Sequence, residues 1–89
     1  MLNLAEIKRR AVVGAKLQLI WASFLPADQA PIARTVTVVQ TNAIAMTPWP
    51  GRTADSWLHW PAAAEVRIDG PDTFTILEDG MPLLTYRFI

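Results

Sequence analysis

From Lys16 onward, apolar side chains fall on every second residue, and this period of two commits most of the chain to β-strands. Leu17, Leu19 and Trp21 alternate with Lys16, Gln18 and Ile20, which predicts a strand with the first set buried and the second partly so. Residues 23–33 (SFLPADQAPIA) break the pattern with two prolines, giving a loop longer than the ~4–6 residues usual in a small domain. Apolar residues return at Val36 and Val38, lose phase at Gln40 and Asn42, and resume at Ile44 and Met46. That pattern fits either one bent strand with a bulge or two strands joined at residues 40–42.

Farther along, Leu58 and Trp60 point one way and Trp57 and His59 the other, and Pro61 closes the strand because it lacks an N–H to donate. Val66 and Ile68 are expected to face inward, with Glu65, Arg67 and Asp69 outward. Turn residues at 69–72 precede a hairpin, and turn residues at 78–80 join its strands, which carry Phe74 and Ile76 on one side of the turn and Leu84, Tyr86 and Phe88 on the other.

Only the first stretch is helical in period. Asn3 with Glu6 three residues later forms a capping-box variant, Leu4, Ile7 and Ala11 lie on one face, and Gly14 is placed to end the segment. The expected fold is therefore mainly β: a short N-terminal helix over residues 1–14, then a small antiparallel β-barrel or compact sandwich, SH3-like or OB-like, over 15–89. The 89 residues allow one domain. Fold alone carries no function.

Composition excludes several chemistries. There are no cysteines and one histidine, so disulfides, thiolate metal sites and multi-histidine sites are out, and no metal or cofactor is expected. Gly14, Gly51, Gly70 and Gly80 are isolated, leaving no phosphate-cradling loop, and His59 has no nucleophile elbow to serve. Asp69, Asp72, Glu78 and Asp79 gather at hairpin ends without calcium-loop spacing and read as turn-stabilising carboxylates. A non-enzymatic protein follows. Lys16 and Gln18 interrupt the only apolar run resembling a signal sequence, Glu6 precedes it, and no window reaches the ~20 apolar residues of a membrane span. A cytoplasmic location without membrane contact is thus expected.

Formal net charge is zero, yet residues 1–53 carry six basic and two acidic side chains and residues 54–89 the reverse. This polarity would favour an oriented partner or self-association, while overall neutrality weighs against a dedicated nucleic-acid binder. Lys8, Arg9 and Arg10 lie together on the helix, either as a solvated face or as an anion contact.

Residues 47–61 (TPWPGRTADSWLHWP) concentrate three of the four tryptophans, the histidine and three of the seven prolines. Both faces of a short strand are rarely covered in a small barrel, so Trp57 or Trp60 should meet water, and prolines on both sides restrict the backbone at Trp49. The cluster is either core packing or a contact surface formed by Trp49, Arg52, Trp57 and His59.

Two function classes follow. In a protein-interaction module, these residues anchor a protein partner or a second copy, and Trp49→Ala or Trp57→Ala removes association without loss of fold. In a single-stranded nucleic-acid module, Trp49 or Trp57 stacks on bases while Lys8, Arg9, Arg10, Arg34 and Arg52 follow phosphates. The first reading is preferred. A short chain without cysteine or motif also looks like the accessory proteins of bacterial phages and other mobile elements, a resemblance that implies a host protein as target.

Overall fold

The computed structural model describes residues 2–89. One helix, α1 (Leu4–Arg10), precedes seven strands: β1 (Lys16–Ala22), β2 (Ile32–Val39), β3 (Ala43–Met46), β4 (Ser56–His59), β5 (Val66–Ile68), β6 (Thr73–Glu78) and β7 (Met81–Phe88). They form a single antiparallel sheet in the order β4-β3-β2-β1-β7-β6-β5, curled into a half-barrel. The two edge strands, β4 and β5, are consecutive in the chain and linked by residues 60–65, which cross the open side, where Trp60 packs at 6.4 Å from the Phe74 ring.

The inner face carries Leu17 and Leu19 of β1, Val36 of β2, Ile44 and Met46 of β3, Phe74 and Ile76 of β6, and Leu84 and Tyr86 of β7, all buried. Helix α1 plugs one end of this trough with Ile7 and the following Ala11, both fully buried. Asn3 caps it by accepting the Glu6 N–H at 2.8 Å, but the Glu6 carboxylate does not complete the capping box. It accepts from the Arg9 side chain instead, and that hydrogen bond holds Glu6 below the usual carboxylate range.

The helix is shorter than the expected segment, ending at Arg10 with Ala11 as its C-cap. Gly14 lies beyond it in a turn, where its N–H donates to the Val36 carbonyl at 2.9 Å. Lys8 reaches Asn42 in the β2–β3 turn at 3.4 Å, and Arg10 reaches Asp72 in the β5–β6 turn at 2.9 Å while its guanidinium sits 4.3 Å from the Phe88 ring centroid. The helix is therefore a strut between the two halves of the curled sheet.

Four expectations of sidedness are corrected. Val38 is turned off the face of Val36 by the bulge between them, Glu65 is only part-exposed with its Oε2 buried, and Trp21 and Ile68 meet water. Leu17 and Leu19 point inward, but the pairing shifts between Leu19 and Trp21, leaving Ile20 as an extra residue and turning Trp21 to the outside at 41% exposure. Ile68 pairs with Phe74 yet is 39% exposed, because β5 is an edge strand with no further neighbour to cover it. The apparent loss of phase around Gln40 reflects two features. A bulge between Val36 and Val38 precedes a turn that separates β2 from β3.

Candidate functional site

The end of the half-barrel opposite the helix is built from the β1–β2 loop and the β3–β4 loop. Between them lies a cleft of about 640 Å³. Phe24, Leu25, Ile32, Trp49 and Pro50 supply its apolar wall, and Gln29, Arg52, Asp55 and Ser56 its polar groups. Phe24 is 54% exposed and stands edge-on to Trp49, with ring centroids 5.8 Å apart.

Behind Trp49 lies Arg34, only 2% exposed, with its guanidinium carbon 4.0 Å from the Trp49 ring centroid. Arg34 faces inward from β2 next to Ile32 and Val36, in a row otherwise apolar. Its Nε donates to the Thr47 carbonyl at 3.2 Å and its Nη1 to the Tyr86 hydroxyl at 3.0 Å, while Nη2 donates to both the Thr47 carbonyl and the Ser56 hydroxyl. No carboxylate within ion-pairing distance offsets this charge among the described residues. The phenol of Tyr86 does not serve as an anion either: burial pushes its ionisation above the ordinary value, and the nearby Arg34 charge only partly opposes this.

A second surface lies on the outside of β4. Val38 pairs with Ala45 and Ala45 with Trp57, so the three form one apolar row across β2, β3 and β4. Val38 is 40% and Trp57 46% exposed, with the small Ala45 sheltered between them. The equivalent outer row across β5, β6 and β7 is Arg67, Thr75 and Thr85, tied together by hydrogen bonds. Along these two rows the outer surface is polar over β5–β7 and apolar over β2–β4.

β4 is also a free edge. The Trp60 N–H donates to the Asn42 carbonyl at 2.8 Å, continuing the β3–β4 register. Bonding positions alternate along an antiparallel pair, so Leu58 and Ser56 direct their main-chain groups to β3, whereas Trp57 and His59 direct theirs to the open side. The other edge, β5, has three residues and carries the Arg67–Asp69 ion pair at 2.9 Å. Charge of that kind blunts an edge against pairing; β4 carries none within Ser56–His59, and Asp55 just before it is tied back to Thr37 of β2.

The four residues singled out from sequence are therefore divided. Trp49 and Arg52 line the cleft, Trp57 and His59 lie on the outer face of β4, and Trp60 packs against the core with Leu58. Trp49 also covers a buried cation, so Trp49→Ala would cost stability as well as contact, contrary to the expectation from sequence. Arg34 is buried and not available to a phosphate backbone. Lys8, Arg9 and Arg10 are held by Asn42, Glu6 and Asp72 respectively. Asp69 and Asp72 sit at one end of β6 and Glu78 and Asp79 at the other, so these four carboxylates do not gather, and no cluster of metal-binding side chains occurs among the described residues. No helix among them is long and apolar enough to cross a membrane.

Trp21, Phe24 and Val38 are exposed apolar residues that sequence reading did not single out. The bulge that turns Trp21 outward leaves no signal in the residue types. Comparison with protein-family models, curated proteins and solved structures gives no match, so what the two surfaces do is read from their own geometry.

Proposed function

We propose that this chain is a non-enzymatic protein-interaction module that takes an extended polypeptide strand onto the free edge of β4. The observation carrying this reading is that the free edge and the exposed apolar row coincide at Trp57. An added strand would pair with the open main-chain groups of Trp57 and His59 and lay a side chain against the Val38–Ala45–Trp57 row. Tryptophan is the residue most enriched among side chains that dominate binding energy. A second copy of the chain meets the same requirements, since β4 presents its own edge and tryptophan for an isologous pairing. For a mobile-element accessory protein, the strand would instead come from a host protein.

The nucleic-acid alternative draws less support. Its stacking residue Trp49 has a face occupied by Arg34, and three of its five basic side chains are buried or ion-paired.

The test uses two variants with different reach. Trp57→Ala removes the apolar anchor, while His59→Pro removes an N–H on the open side and leaves the β3 ladder in place. Wild-type protein is expected to show concentration-dependent mass in analytical ultracentrifugation, or to retain a host protein on an affinity column, and both variants to lose this while keeping their circular dichroism. A wild-type chain that stays monomeric at high concentration and retains nothing beyond what Trp57→Ala retains overturns the reading.

A further inference from the structure

The cleft between the β1–β2 and β3–β4 loops is separate from the β4 edge and has its own chemistry. Its apolar wall ends at Ser56, whose hydroxyl oxygen accepts from Arg34 Nη2. A hydroxyl that accepts from a guanidinium keeps its own proton to donate, and the charge behind it strengthens that donation. The Arg52 side chain on the rim is exposed and makes no side-chain hydrogen bond or ion pair among the described residues. The one acidic group in the lining, Asp55, accepts from Thr37 Oγ1 at 2.6 Å.

Taken together, the pocket joins an aromatic wall, a polarised hydroxyl donor, a free guanidinium and a buried cation lacking a counter-charge. We infer that the cleft binds an apolar or aromatic monocarboxylate, with the carboxylate accepting from Ser56 and Arg52 and the apolar body against Phe24 and Trp49. The bound carboxylate supplies the negative charge that Arg34 lacks. A dianion such as phosphate is disfavoured because Asp55 shares the pocket. The same chemistry is offered by a small carboxylic acid and by the C-terminus of a peptide ending in an aromatic residue.

Titration of isotope-labelled protein with 3-phenylpropionate, followed by nuclear magnetic resonance, tests this directly. The Trp49 indole N–H and Ser56 amide resonances are expected to move saturably, and the neutral amide of the same compound to bind at least about tenfold more weakly. Ser56→Ala and Arg52→Gln should each weaken binding by about tenfold, and Phe24→Ala should weaken it while leaving the melting temperature unchanged. Trp57→Ala should bind as wild type does, which separates this site from the β4 edge.

Peptides ending in phenylalanine, with a free or an amidated C-terminus, identify the source. A free-acid peptide binding more tightly than 3-phenylpropionate assigns a protein tail, and equal or weaker binding assigns a small acid. Equal shifts from acid and amide, or no saturable shift at these resonances, overturn the inference.

Discussion

Arg34 is the largest fully buried side chain, and it holds a positive charge against a tryptophan face, a carbonyl and two hydroxyls. Removing an ion from water costs several kcal/mol unless it is well compensated, so these neutral partners share the burden. Tyr86 is one of them, and it is the only tyrosine in the chain. Burial raises its ionisation in the folded state, so folding holds the phenol proton more tightly than the unfolded chain does. Stability is then complete below the unfolded tyrosine value of about 10 and falls as pH climbs past it towards the folded value. Ultraviolet titration of the folded protein should show its phenolate forming above the pH at which the denaturant-unfolded chain forms it, and a folded midpoint at or below the unfolded one would contradict this account. Nothing in the spacing around Arg34 announced its burial. The side chain occupies an inward position that the period of two assigns to an apolar residue, and only its three-dimensional partners make the exchange tolerable.

At the scale of elements, what could be read from sequence and what could not divide at the bulges. The alternation over β4 put Trp57 and His59 on one side and Leu58 on the other without saying which is covered, and the structure exposes the first pair. In β1 the same rule held for Leu17 and Leu19 and failed at Trp21, because one unpaired residue reverses the side of everything beyond it. The cleft was legible only as two separate fragments, the long β1–β2 loop and the tryptophan loop, since nothing local says that the sheet's curl brings them together. Turn chemistry proved a firmer guide. The β6–β7 hairpin turns on Asp79 at φ 51° and Gly80 at φ 78°, paired so that Glu78 faces Met81, the two-residue turn with positive φ at both central positions. A methyl group at Gly80 would meet nothing within 4 Å, so the cost of Gly80→Ala is backbone strain rather than collision. That strain should amount to about 1–2 kcal/mol, lowering the melting temperature by roughly 4–16 °C on the scaling for domains of this size. An unchanged melt in calorimetry would mean that the turn had rebuilt itself in another form.

For the molecule as a whole, the half-barrel leaves an inner face that the sheet cannot cover alone. Residues 60–65 cross the open side, and α1 closes one end. The opposite charges of the two chain halves meet in part across this construction, with Arg10 of the helix bonded to Asp72 of the β5–β6 turn and stacked on Phe88 of β7. These contacts are half-exposed and individually weak. The weight of the strut therefore falls on Ile7, fully buried within the core and set there by the Asn3 cap. A seven-residue helix has little stability of its own, so its formation depends on that docking. Ile7→Ala should consequently cost about 2–5 kcal/mol, a large share of the ~5–15 kcal/mol available to a small domain. It should also do so cooperatively, with helix and sheet melting together. Hydrogen exchange is the decisive measurement. If the amides of α1 open in Ile7→Ala while those of β1, β6 and β7 keep their wild-type protection, the helix is an appendage and the sheet is stable without it. Loss of protection in both, at the same denaturant concentration, is the expected result for a trough that needs its plug.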